Sequence, residues 1–137
     1  MNDFESYCKV GGHRLTDPRK YVLEIILATE TPLGAYDVLE KLGDKLDNPK
    51  PPTAYRAIEF LLEHGFIHRI ESLNAYVACE SDHSHEGSQF MICDDCGKVI
   101  ETHFCHLPDS FQKRLAEENF AATHWNLEIH GRCAACR

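Results

Sequence analysis

Two Cys-x-x-Cys hooks, Cys93-Asp94-Asp95-Cys96 and Cys133-Ala134-Ala135-Cys136, constrain this chain more than any other feature. Each hook presents two thiolates to one ion, and together they complete a tetrahedral sulfur site with no open position. Such a closed site is structural, because the metal's binding energy becomes folding energy. The expected ion is zinc. One hook alone also suits a redox pair, but two at this spacing read as a ligand set. Gly97, directly after the first hook, lets the backbone turn tightly beside the metal.

The hooks also limit the compartment. The chain has 137 residues, with seven cysteines and nine histidines. Eight of the histidines lie between His64 and His130, and six of the cysteines lie from Cys79 onward. Where thiols stay reduced, such clustering signals metal ligands rather than disulfides. The N-terminus, MNDFESYCKV, lacks the basic-then-apolar plan of a secretory signal. No apolar run approaches the ~18 residues of a membrane span. A cytoplasmic protein is therefore expected. Its formal charge of −8 argues against indiscriminate nucleic-acid binding. Even so, Lys9, Arg14, Arg19 and Lys20 face one acid, Asp17, within a short stretch, and a basic patch of this kind docks on phosphates with salt-dependent affinity.

The chain order predicts an α+β protein in two parts. A short helix over 4–10 is followed by a helix that starts at Thr16-Asp17-Pro18, with a capping hydroxyl and an early proline. Its apolar stripe is Val22, Ile25 and Ile26. A second stripe, Ala35, Val38, Leu39, Leu42 and Leu46, predicts a helix ending at Asp47-Asn48-Pro49. A third helix runs from the Pro51-Pro52 pair to Gly65, with Ala54, Ala57, Ile58 and Leu61 inward and Arg56, Glu59 and Glu63 outward. Strand-like runs over 66–70 and 75–78 then flank a turn at Ser72-Leu73-Asn74. Helices followed by a two-stranded wing make a winged helix-turn-helix with the third helix as reader; the same stripes also suit any small three-helix core. Residues 79–88, CESDHSHEGS, read as a hinge. Beyond it, strands over 89–92, 99–103 and 122–129 and a helix over 108–119 predict a small α/β domain over 89–137. A unit of about 50 residues needs a staple, and the hooks supply it.

A further set of potential ligands, His68, Cys79, His83, His85, Glu101, His103, Cys105, His106, His124 and His130, spans the wing, the hinge and the second domain. Singly, each is a surface or half-buried residue; jointly, some of them suit one ion clamping the domains. A thiolate among imidazoles favours zinc over iron or manganese. Cys8 lies apart and reads as a small buried residue. Catalysis is not expected. There is no His-Glu-x-x-His, and the zinc deaminase pattern fails because Ile92, not proline, precedes Cys93. A zinc-ribbon interaction module without DNA binding is the non-enzymatic rival.

The stretch KPPTAYRAIEFLLEHGFIHRIESLNAYVAC (50–79), with FMICDDCGKVIE and EIHGRCAAC, resembles the ferric uptake regulator (Fur) family, and within it the zinc-responsive members. The likeness covers nearly the whole chain. It implies a homodimer with an N-terminal winged helix (1–78), a hinge (79–88) and a C-terminal α/β dimerisation domain (89–137). It also implies a repressor of zinc import genes that sits on AT-rich palindromic DNA when zinc is bound. Cys93, Cys96, Cys133 and Cys136 match the family's structural zinc site. His68, Cys79 and Glu101 match three ligands of the sensing site, whose fourth ligand is a hinge histidine, His85 or His83, with His85 nearer the following strand. Tyr55 and Arg56 match the recognition-helix pair, and Tyr36 and Arg14 match other DNA contacts. Many relatives carry further ligands just before the first hook, where this chain has Gln89 and Phe90. An iron- or peroxide-responsive regulator of the same family is the alternative, and Cys79 is the residue that discriminates.

Overall fold

A computed structural model of the protein describes residues 2–79, 87–102 and 106–137. The chain divides into two compact units, Met1–Cys79 and Glu80–Arg137.

The first unit opens with four helices, α1 (Asn2–Val10), α2 (Asp17–Leu27), α3 (Ala35–Leu42) and α4 (Pro51–Glu63). Thr16 caps α2, its side chain accepting from the Arg19 amide at 3.4 Å, and Pro18 fills the first turn. α3 ends at Leu42, one turn before the expected Leu46, because Gly43 takes the cap. Leu46 still packs against the core, with its amide on the Leu42 carbonyl. α4 starts on Pro51 and Pro52 and stops before Gly65, which adopts a φ of 78°. Val22, Leu23, Ile25 and Ile26 of α2 meet Val38 and Leu42 of α3 and Ala54, Ala57, Ile58, Phe60 and Leu61 of α4 in one core. Phe4 and Cys8 of α1 close it. Each large side chain fully removed from water there contributes about 1.5–3 kcal/mol.

The wing follows as β1 (Ile67–Ile70) and β2 (Ala75–Ala78), antiparallel with Ile67 opposite Ala78 and Ile70 opposite Ala75. Asn74 closes the turn at a φ of 48°, a conformation asparagine tolerates, and its side chain accepts from Arg69. Leu33, ahead of α3, exchanges two backbone hydrogen bonds with Tyr76, which ties the loop after α2 to the wing.

The second unit is a three-stranded sheet in the order β4-β3-β5, with β3 (Gly87–Cys93), β4 (Val99–Glu101) and β5 (Trp125–Gly131), plus helix α5 (Asp109–Glu117) between β4 and β5. β3 pairs antiparallel with β4 and parallel with β5. The last strand lies about three residues later than the sequence pattern places it, over Trp125–Gly131, because its partner is the equally long β3. The predicted extension of β4 to His103 lies outside the described residues. No helix among the described residues is long and apolar enough to cross a membrane.

Candidate metal centre and nucleic-acid face

The parallel pairing of β3 with β5 brings the hooks together. In that register Cys93 stands beside Gly131, and the Asp94 amide extends the ladder to the Gly131 carbonyl at 2.7 Å. Both strands therefore end at the same end of the sheet, and each leads into a hook. Gly97 takes the left-handed turn with a φ of 76°. The four sulfurs of Cys93, Cys96, Cys133 and Cys136 lie within 4.8 Å of one another, and the Cys96 and Cys133 sulfurs are 3.7 Å apart. A zinc tetrahedron with Zn–S bonds of about 2.3 Å has sulfur–sulfur edges of about 3.8 Å, so the donor set fits the ion.

Electrostatics divides the four thiols. Backbone amides of Cys96 and Cys133 donate to the Cys93 sulfur at 3.5 and 3.4 Å. These donors pull the Cys93 thiol down to about 6, well below an ordinary cysteine. Cys133 is lowered as well, chiefly by the Cys136 amide. Cys136 is pushed up to about 12 by its three sulfur neighbours, Cys133 first. Amide donors thus favour the thiolate at Cys93 and Cys133, while the crowding of sulfurs disfavours it at Cys136.

In the first unit, the wing register positions two more ligand types. His68 stands opposite Val77, and the Cys79 amide bonds to the Phe66 carbonyl at 2.9 Å, continuing the ladder by one pair. Side chains at 66, 68, 77 and 79 therefore share one face. Consistent with this, a His68 ring nitrogen and the Cys79 sulfur lie within 4.8 Å, both half-buried. Glu101 is the half-buried last residue of β4 in the second unit, opposite Phe90. His83 and His85, the histidines expected in a hinge, lie outside the described residues, as do His103 and Cys105. Gln89 and Phe90 are both buried, and the Thr102 hydroxyl donates to the Gln89 side-chain oxygen at 3.4 Å, so packing claims the two side chains just before the first hook. His130 bridges Asp94 and Glu128 at 3.5 and 3.3 Å. Neither it nor His106 nor His124 joins a close set of three ligands among the described residues. Cys8 is fully buried in the core.

The face expected to meet DNA is open. On α4, Tyr55 is 52% exposed, and Arg56, Glu59 and Glu63 are exposed beside it. Tyr36, on the first turn of α3, is 80% exposed, and Arg14 is exposed in the loop before α2. The basic run is smaller than its composition implies. Lys20 pairs with Glu5 at 3.7 Å, and the Arg19 guanidinium stacks 3.7 Å over Phe60 and donates to the Arg14 carbonyl. Arg19 thereby holds the loop that presents Arg14 (a positioning role with no local signal in the sequence). A second feature missed in sequence joins α1 to the end of α4: the Tyr7 hydroxyl lies 2.8 Å from His64 Nδ1, and His13 packs on His64 with ring centres 4.4 Å apart.

Comparisons with known proteins agree along the chain. The sequence model of the Ferric uptake regulator family matches residues 10–130. The zinc uptake regulation protein of Escherichia coli (strain K12) is 41% identical over 133 residues, covering 96% of this chain and 78% of that protein. The peroxide operon regulator of Bacillus subtilis (strain 168) is 28% identical over 131 residues, 93% of this chain and 87% of that protein. Among solved structures, a zinc uptake regulator complexed with zinc and DNA matches with a TM-score of 0.91 at 39% identity, over 98% of this chain and 90% of that one.

Proposed function

The chain belongs to the Ferric uptake regulator family, and from that premise we propose that it is a zinc-responsive, DNA-binding transcriptional repressor that controls zinc uptake genes. The observation that carries this reading is its likeness, over 98% of its length, to a zinc uptake regulator complexed with zinc and DNA. It is a regulator and not an enzyme. It works in the cytoplasm, where its thiols stay reduced.

Residues 1–78 form the DNA-binding domain, 79–88 the hinge and 89–137 the dimerisation and metal-binding domain. Cys93, Cys96, Cys133 and Cys136 hold the structural zinc. His68, Cys79 and Glu101, with His85 or His83, hold the regulatory zinc. The pairing of a thiolate with an imidazole supports zinc as the sensed ion over iron. Tyr55, Arg56, Tyr36 and Arg14 contact an AT-rich palindromic operator, with arginine suited to guanine and tyrosine to a phosphate or a thymine methyl. The protein acts as a homodimer. In support, the second unit leaves Met91, Ile100, Leu127 and Ile129 exposed, and the strand register puts all four on one face of the sheet.

The test is a DNA-binding titration against buffered free zinc with metal content measured in parallel. The expected result is one tightly held zinc per chain throughout, and operator binding that appears as a second zinc enters. Binding that ignores free zinc, or that answers only to iron, would overturn the reading.

A further inference from the structure

The exposed face of α4 presents a carboxylate where a DNA-reading helix would be expected to avoid one. Taking 3.6 residues per turn, Tyr55, Glu59, Glu63 and Arg56 fall within an arc of about 100°, with Glu59 between Tyr55 and Arg56. Ala54, Ala57, Ile58 and Leu61 point the opposite way into the core, which fixes the rotation of the helix. Glu59 cannot turn from whatever surface Tyr55 and Arg56 approach. Along the axis it is one turn from Tyr55, about 6 Å at 1.5 Å per residue. Its side chain is also exposed and, among the described residues, forms no ion pair, not even with Arg56 three residues earlier.

We propose that Glu59 is a specificity-determining residue that reads a cytosine in the major groove next to the base read by Arg56. This deepens the proposed function and rests on it. A carboxylate only accepts hydrogen bonds. On the major-groove edge, guanine offers two acceptors and thymine offers an acceptor and a methyl, so both repel or ignore it. Adenine offers a donor flanked by the N7 acceptor. Cytosine offers its N4 amino donor alone, which makes it the matching base. Away from such a donor the carboxylate meets phosphate charge without compensation. Glu59 therefore sets a cost on wrong sequences as well as a contact on the right one, in keeping with a protein whose net charge is −8. Glu63 lies a further turn along, about 12 Å from Tyr55, and serves as the internal control.

The experiment selects duplexes from a random-sequence pool with the zinc-loaded wild-type protein. Every single base-pair variant of the winning duplex is then measured against wild type, Glu59→Gln, Glu59→Ala, Glu63→Gln and Arg56→Ala. The expected result is a cytosine preference of about tenfold at one base pair per half-site. Both Glu59 variants abolish it there and nowhere else, while Glu63→Gln keeps it. Arg56→Ala flattens a different, neighbouring pair. If Glu59→Ala leaves every preference intact, or tightens binding to all duplexes by one common factor, Glu59 acts only as bulk charge and the assignment is overturned. If the zinc-loaded wild type selects no sequence at all, the repressor reading falls and this one falls with it. That outcome is distinct, because Arg56→Ala then changes nothing either.

Discussion

Cys93 and Cys136 belong to one cluster of sulfurs and hold their protons very differently. Amide donors bring Cys93 down to about 6, whereas neighbouring sulfurs push Cys136 up to about 12. The sign of the pH dependence follows. Zinc must displace whatever protons the thiols hold. Above about pH 6 Cys93 is already ionised and costs the metal nothing; as pH falls through that value a further proton competes. Zinc retention should therefore steepen in its pH dependence by about one proton below about pH 6, read as zinc release to a chromophoric chelator between pH 5 and 8. A constant slope across that range would contradict the thiolate assignment. The residues proposed to sense zinc should behave separately. Cys79→Ser should keep the tightly held zinc, the fold and the dimer while losing zinc-dependent operator binding, and Glu101→Ala should do the same less completely. His85→Ala should be more damaging than His83→Ala; the reverse order would make His83 the fourth ligand. Arg56→Ala should cost about 1–3 kcal/mol of operator affinity and relax base preference. Arg14→Ala should weaken binding to all sequences and flatten its salt dependence.

The hooks are only as good as the strands that carry them. β3 and β5 run parallel and in register to their common end, so a tetrathiolate site is also the clasp on a non-local strand pair. Structural zinc contributes about 10–16 kcal/mol in small domains, comparable with the whole stability of an ordinary domain at about 5–15 kcal/mol. Cys93→Ser or Cys136→Ser should consequently unfold the second unit and abolish dimerisation, measured by circular dichroism and sedimentation. A well-folded dimer of either variant would sink the assignment. What the sequence makes legible follows the same division between local and non-local. The stripe Ala54, Ala57, Ile58 and Leu61 reports α4 because helical burial repeats within a few residues. The two hooks report one another because thiolates at that spacing have few other uses. The parallel partnership of β3 and β5 was not legible, because strand pairing depends on a partner far along the chain and leaves no local period. The early end of α3 was hidden for another reason: Leu46 stays apolar and packed after Gly43 has ended the helix. The Arg19–Phe60 stack and the Tyr7–His64 contact join residues distant in sequence and had no signal at all.

For the molecule as a whole, the second unit cannot be the end of the assembly. Its buried side chains, among the described residues, are Gln89, Phe90, Ile92 and Cys93, all from one strand. Phe111 and Phe120, in α5 and just after it, stay exposed, as do Met91, Ile100, Leu127 and Ile129 on one sheet face. An apolar face of this kind on a protein of net charge −8 calls for a covering surface, and a second copy supplies one that is self-complementary about a two-fold axis. In such an interface one substitution acts twice. Ile129 is 56% exposed on the edge strand β5, opposite Met91, so a charge there costs the isolated chain little. Ile129→Glu should accordingly leave the helical signal and the tightly held zinc intact, yet convert the protein to a monomer in sedimentation. Operator binding should then fall by about a hundredfold or more, because two linked reading helices gain about 10²–10⁴ over one, while the weak affinity for single half-site duplexes stays near its original value. An Ile129→Glu protein that remains a dimer with unchanged operator affinity would place the interface elsewhere, with the exposed Phe111 and Phe120 as the next residues to charge.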